Sequence, residues 1–239
     1  MYNGRMTLEQ QINDYEMSYE ALQLVKDTRL LLVASIVGGG KDTTVREIIK
    51  TGFYHRIVSH TTRKPRVNHG LMEADGVDYH FITLPQAEAL LRDKAFIEAK
   101  YVHGNVYGTT IAELQAAHEQ DKIAVTDIDI QGVLEYLNVK QDTHAVFLLP
   151  PSVDTWISRL NNRYGNIDDH KDEITKRFRT AYDEITHILE DKRFVVMIND
   201  DLETTVERVR GVVTGEISHT SSYAEKIAEH LLDYLKTKI

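Results

Sequence analysis

Leu30-Leu31-Leu32-Val33-Ala34-Ser35-Ile36-Val37-Gly38-Gly39-Gly40-Lys41-Asp42-Thr43-Thr44 runs from a strand-length apolar segment through three glycines into a helical pattern over 43–51. Glycines let backbone N–H groups turn toward an anion, and a helix start adds partial positive charge. Lys41 falls where the lysine of a phosphate-binding loop (P-loop) reaches the terminal phosphates of a nucleotide. The pattern Gly-x-x-x-x-Gly-Lys-Ser/Thr departs at two places. Ser35 replaces the first glycine, and Asp42 replaces the hydroxyl that normally binds Mg²⁺. A carboxylate there could bind the metal directly, since oxygen ligands suit it, or it could repel a triphosphate. Taken alone, the loop reads equally as a nucleotide site or a glycine-rich turn.

Three further apolar runs follow: Ile123–Val125, Ala145–Leu149 and Phe194–Ile198. Helical patterns over 110–120, 152–162, 170–190 and 201–213 separate them. Apolar strands alternating with helices predict an α/β fold, a parallel-sheet core with helices on both faces. Between 54 and 108 the strands are short and more polar, as in Val77–Ile82 and Lys100–Val106, and Gly70, Gly76, Gly104 and Gly108 punctuate them. This predicts a small mixed insertion with antiparallel pieces. Residues 1–27 read as a leading helix outside the sheet. Residues 221–238 read as a trailing amphipathic helix with Ile227, Leu231, Leu232 and Leu235 on one face, fit for core packing or for oligomer contact.

The chain has 239 residues, no cysteine and a formal net charge of −9. There is no disulfide framework and no thiolate nucleophile. The acidic balance argues against a general nucleic-acid binder, yet a few clustered arginines can still make one pocket positive. The N-terminal stretch carries Glu9, Asp14, Glu16 and Glu20 without a long apolar core, and Leu30–Ala34 is too short to span a bilayer. A cytoplasmic location without membrane partners is expected.

Ser59-His60-Thr61-Thr62-Arg63-Lys64-Pro65-Arg66 sets two arginines three apart behind three hydroxyls. A guanidinium matches a phosphate through parallel charge-assisted hydrogen bonds, and Pro65 disfavours a helix or central strand. The same run also reads as a solvated basic turn. Glu98 follows the apolar Phe96-Ile97; a carboxylate accepts both donors of a guanine Watson–Crick edge, where adenine presents an acceptor. Tyr79 and Tyr107 carry phenols able to donate to a phosphate, and Thr109 follows Gly108.

These blocks occur in a telling order. Ser59–Arg66, Gly76–Tyr79, Phe96–Glu98, His103–Thr109, Asp127–Gly132, Leu149–Ser152 and Arg159–Arg163 together resemble the guanylate kinases, over roughly residues 29–211. The resemblance implies transfer of the terminal phosphoryl group of ATP to GMP with Mg²⁺. It implies a P-loop core, a GMP-binding insertion at about 59–110 and a helical lid at about 156–180, with extensions over 1–28 and 212–239. By position, Arg63, Arg66, Tyr79 and Tyr107 would hold the GMP phosphate, and Ser59, Glu98 and Thr109 would read guanine. Glu73 matches the family's acid only across an insertion after Arg66. Asp129 would join the GMP side, and Asp127 and Asp42 the metal. Gly38, Gly39, Gly40, Lys41, Asp42, Thr43 and Asn199 would form the ATP side. Lys41, Arg63, Arg159 and Arg163, with Arg177, would neutralise the transferring charge. The lid segment Tyr164–Lys176 departs from the family pattern. The alternative implied by the altered loop is a catalytically impaired, guanylate-kinase-like binding domain. Oligomeric state is not read.

Overall fold

The computed structural model describes residues 6–68 and 71–239, with only the backbone of Asn68. Gly70 and the first five residues of the expected leading helix lie outside these. The leading segment forms two helices, not one: α1 (Leu8–Asn13) and α2 (Tyr19–Asp27). Thr7 and Gln10 close a reciprocal capping box on α1, and Ser18 in extended backbone accepts the Ala21 N–H and starts α2 afresh. Two strong N-caps eleven residues apart split the helix.

The phosphate-loop segment gives β1 (Leu30–Ser35) and α3 (Lys41–Ile48), closed by a 3-10 turn at Ile49–Thr51. Then come β2 (Tyr54–Arg56), β3 (His60–Thr61), the small pair β4 (Val67–Asn68) and β5 (Leu71–Met72), β6 (His80–Phe81) and α4 (Leu84–Arg92). The hairpin strands β7 (Phe96–Val102) and β8 (Asn105–Thr110) lead into α5 (Ile111–Glu119). The chain continues as β9 (Ile123–Asp127), α6 (Ile130–Val139), β10 (His144–Leu149) and α7 (Val153–Tyr164). After a 3-10 turn at Ile167–His170 follow α8 (Lys171–Glu190), β11 (Phe194–Ile198), α9 (Leu202–Val213) and α10 (Ser222–Lys236).

Two compact units result. One comprises Met1–Arg29 and His55–Ala124, the other Leu30–Tyr54 and Val125–Ile239. The main sheet has the order β11-β10-β1-β9-β2, with β1 parallel to β10 and β10 parallel to β11. Leu31, Leu32, Val33, Val146, Phe147 and Leu148 are fully buried in it. A strand covered on both faces has no polar side to alternate, which is why these segments read as unbroken apolar runs. All four expected strands are present, and the three-residue β2 adds a fifth at the edge.

The other unit carries a mixed sheet of order β6-β3-β8-β7, in which β3 runs parallel to β6 and antiparallel to β8. Helix α1 joins its core, where Ile12, Ala87, Leu91, Phe96 and Val106 pack together. Two expected strands change here. Val77–Ile82 shrinks to His80–Phe81, because residues 74–79 close turns through Gly76 N–H to Tyr79 O and Val77 N–H to Ala74 O. Lys100–Val106 is two strands around a turn at His103–Gly104, both with positive φ. Among the described residues, no helix is long and apolar enough to cross a membrane.

Candidate functional site

The turn after β3 is held by its own hydroxyls. Thr61 Oγ1 accepts the Arg63 N–H at 3.2 Å, and Thr62 Oγ1 accepts the Val106 N–H at 2.9 Å. Arg63 is thereby fixed at the end of a strand and is only 8% exposed. Its guanidinium forms a two-pronged pair with Glu73, Nη1 to Oε2 at 2.8 Å and Nη2 to Oε1 at 3.0 Å. The same carboxylate accepts the Arg66 N–H at 2.8 Å. Burial opposes the Arg63 charge, but Glu73 and Tyr107 override it and hold the guanidinium firmly ionised. Burial likewise pushes the Glu73 carboxyl up, and the Arg63 and Arg66 hydrogen bonds bring it below its ordinary value. Removing one partner of such a desolvated pair leaves a buried charge and costs about 3–5 kcal/mol.

Between Arg66 and Glu73 lies the β4–β5 ribbon. Val67 pairs with Met72, and the Glu73 N–H returns to Arg66 O at 2.9 Å. The ribbon brings the acid back to the arginine turn. Tyr79 lies under Arg63, whose guanidinium carbon is 5.1 Å from the ring centre, and meets Tyr107 edge-on at 6.0 Å. Arg63, Glu73, Tyr79 and Tyr107 thus form one cluster, with the Arg66 side chain exposed beside it.

Next in the same sheet, Glu98 stands opposite Thr109 in the β7–β8 register, and Thr109 is 2% exposed. A β-bulge between Phe96 and Glu98 sets this register. Gly108 permits close approach: a Cβ there would press on Glu98 O at 2.6 Å and on the Phe96 ring at 2.8 Å. Ser59 precedes β3, and its carbonyl accepts the His80 N–H at 2.9 Å.

In the second unit, the glycine loop has the backbone its sequence calls for. Gly40 has φ +96°, and a Cβ on it would collide with Asn199 Nδ2. Asn199 is 7% exposed; its amide donates to Gly39 O at 2.8 Å and accepts from Thr205 Oγ1 at 3.2 Å. Trp156, fully buried, donates its indole N–H to Val37 O at 2.7 Å. Ser35 ends β1 opposite Leu148 and is not among the positive-φ residues, so a side chain is tolerated at that position. Lys41 Nζ reaches Asp127 Oδ2 at 3.4 Å. Asp42 and Thr43 are exposed in the first turn of α3, where the helix dipole favours an acid.

Asp129 belongs to this second unit, not to the one that holds Arg63 and Glu98. It caps α6, accepting the Gly132 N–H at 2.7 Å. Arg159 Nη2 donates to Asn199 O at 2.8 Å, while its Nη1 is buried without a hydrogen-bond partner, and burial lowers its pKa. Arg163 lies over the Tyr164 ring at 5.8 Å, and Arg177 pairs with Glu173 at 3.4 Å; both are exposed. Sequence reasoning missed Trp156 and Glu184. Trp156 was hidden because a tryptophan on a helix reads as core. Glu184 was hidden because only the fold brings it near Lys41, Asp129 and Arg177.

A parallel sheet whose first strand empties into this glycine loop, with a lysine opening the next helix, defines a P-loop α/β protein. The family model for guanylate kinase matches residues 27–216. A guanylate kinase from Clostridioides difficile (strain 630) is 32% identical over 213 residues, covering 88% of this chain and 99% of that protein. One from Schizosaccharomyces pombe is 34% identical over 181 residues, 73% of this chain and 85% of that one. The crystal structure of guanylate kinase from Anaplasma phagocytophilum superposes with a TM-score of 0.58 at 24% identity, over 83% of this chain and 90% of that one. The chain belongs to the guanylate kinase family.

Proposed function

We propose that this chain transfers the terminal phosphoryl group of ATP to GMP, giving ADP and GDP. Arg63, Arg66, Tyr79 and Tyr107 hold the acceptor phosphate, and Glu73 orients Arg63. Glu98, Thr109 and Ser59 read guanine. The loop 38–43 holds the donor, Lys41 reaching its phosphates, and Asn199 acts by fixing the loop through Gly39. The observation that carries this reading is that the Arg63–Glu73–Tyr79–Tyr107 cluster gathers at the small sheet that holds the Glu98–Thr109 pair.

Phosphoryl transfer needs little covalent work from the protein. A phosphate oxygen of GMP forms its bond to the terminal phosphorus as the bond to the ADP oxygen breaks, and positioned cations stabilise the charge on the equatorial oxygens. Lys41, Arg63, Arg159, Arg163 and Arg177 supply those cations. The buried, unpartnered Nη1 of Arg159 is a donor that a phosphate oxygen would satisfy. Asp127 holds Lys41, and Asp129 joins the GMP side. Residues 156–180 act as the lid and 59–110 as the GMP-binding insertion.

Among the described residues, no cluster of three or more His, Asp or Glu side chains could hold a metal alone. Mg²⁺ usually keeps waters and takes one or two carboxylates plus substrate phosphates. Asp42 and Asp127 are the residues that would hold it, and bound there it would neutralise phosphate charge. The impaired binding-domain reading draws no support from the loop geometry: Ser35 is unstrained and Asp42 is outside the glycine turn.

The test is ADP release with ATP, Mg²⁺ and each nucleoside monophosphate in turn. Turnover is expected with GMP and to be at least about 100-fold weaker with AMP, whose edge leaves Glu98 facing an acceptor. Equal turnover with AMP, or none with GMP, would overturn the proposal.

A further inference from the structure

We infer that Tyr15, ahead of the region matched by the family, is a positioning residue for Glu98. Its hydroxyl holds the carbonyl of Phe96 at the bulge that sets Glu98 opposite Thr109. The inference rests on the reading of Glu98 as the guanine-binding carboxylate.

Phe96 pairs with Thr110, and Glu98 pairs with Thr109, so two steps on β7 match one on β8. Ile97 is the extra residue. A bulge of this kind breaks the ladder, leaves backbone groups without their strand partners and re-aims the side chain that follows. Here Phe96 and Ile97 are both buried, at 0% and 2%, and Glu98 is the first residue to regain access to solvent.

A carbonyl beside such a break is held in place by a well-aligned donor. Tyr15 supplies it. Its hydroxyl donates to Phe96 O at 2.6 Å, across 81 residues of sequence, and its ring meets the Phe96 ring edge-on at 6.5 Å. Helix α1 delivers the tyrosine. Ile12 is 4% exposed in the core cluster that includes Phe96, and the Tyr15 N–H closes the helix end on Ile12 O at 3.1 Å. The Phe96 ring in turn lies against Gly108, between Tyr107 and Thr109. Holding Phe96 therefore fixes the residues on both strands that face the base.

The experiment is a double-mutant cycle with Tyr15→Phe and Glu98→Gln, read as KM for GMP, KM for ATP, kcat and melting temperature. IMP serves as the companion substrate, because it keeps the N1–H of guanine but lacks the exocyclic amino donor. Tyr15→Phe keeps the ring and removes one hydrogen bond, so the KM for GMP is expected to rise about five-fold. The preference for GMP over IMP should fall, with the KM for ATP unchanged. In the Glu98→Gln background the same substitution should add nothing, since the two residues act as one. An equal rise in KM for GMP in both backgrounds would overturn the inference, as would a lowered melting temperature with unaltered KM and preference. Should Glu98→Gln itself leave GMP binding untouched, the reading of the base site falls and the inference with it. A strong Glu98→Gln effect beside a silent Tyr15→Phe overturns the inference alone.

Discussion

Glu184 holds an ionisation at odds with its surroundings. Burial first, and then Asp129, push its carboxyl up to about 7, while Lys41 and Arg177 pull the other way and Asp183 adds a smaller push. A folded-state pKa above the unfolded value means the folded protein holds this proton more tightly. Its stabilising effect is full below pH 4.5 and is lost as pH rises through 7. Glu184→Gln removes the titration while keeping the shape. It should stabilise the protein by roughly 1–3 kcal/mol at pH 8 and by almost nothing at pH 4.5. Thermal melts at the two pH values check this, and an equal gain at both would assign the effect to packing. The same scale shows what single residues disclose in advance. Arg63, Tyr79, Glu98 and Tyr107 were legible as chemical types in order. The pairing of Arg63 with Glu73 was not, because the β4–β5 ribbon that joins them has no signature in local sequence.

At the scale of elements, the β6-β3-β8-β7 sheet contains a built-in acid sensitivity. His60 on β3 and His80 on β6 stand in register with ring centres 4.6 Å apart, and His80 Nε2 meets Glu113 Oε1 of α5 at 2.8 Å. Burial, then His80, lower the His60 pKa to about 4, against the smaller opposing pull of Glu113 and Asp75. The unfolded chain takes up this proton near 6.5, so the stability is complete above that pH and is lost as pH falls toward 4. Acidification from pH 7 to 5 should therefore lower the protection of the Thr61 and Phe81 amides, measured against an unstructured peptide at the same pH, before that of the β1 amides. His60→Gln should flatten the difference, and protection lost uniformly would contradict the local origin. Elements were legible where physics is repetitive. The apolar strands announced themselves because both faces are buried. Strand β2 escaped because three residues carry no period. Helices α4 and α6 escaped too, α4 inside a segment read as short polar strands, and α6 because five of its ten residues are buried and its polar face is thin.

At the scale of the whole molecule, the family model spans residues 27–216, and each unit carries a helix outside that span. Helix α1 braces the β6-β3-β8-β7 sheet. Helix α10 packs on its own unit through Ala224, Ala228, Leu231 and Leu235, all buried, while Ile227 and Leu232 of the expected stripe are half-buried. Its contact continues inward through aromatic rings. Tyr234 meets Phe178 edge-on at 6.1 Å, Phe178 meets Trp156 at 5.2 Å, and Trp156 holds Val37 O beside Gly38. Tyr234 is thus three contacts from the backbone that would cradle ATP phosphates. Deleting its ring removes one aromatic pair, worth about 1 kcal/mol, so Tyr234→Ala should raise the KM for ATP about three- to five-fold. The KM for GMP should stay level, because the residues read as binding it, Asp129 apart, belong to the other unit. Trp156→Phe, which keeps the ring stack but removes the hydrogen bond to Val37, should raise the KM for ATP further than Tyr234→Ala does. A fall in melting temperature with an unmoved KM for ATP would reduce α10 to a stabilising strut with no hold on the loop.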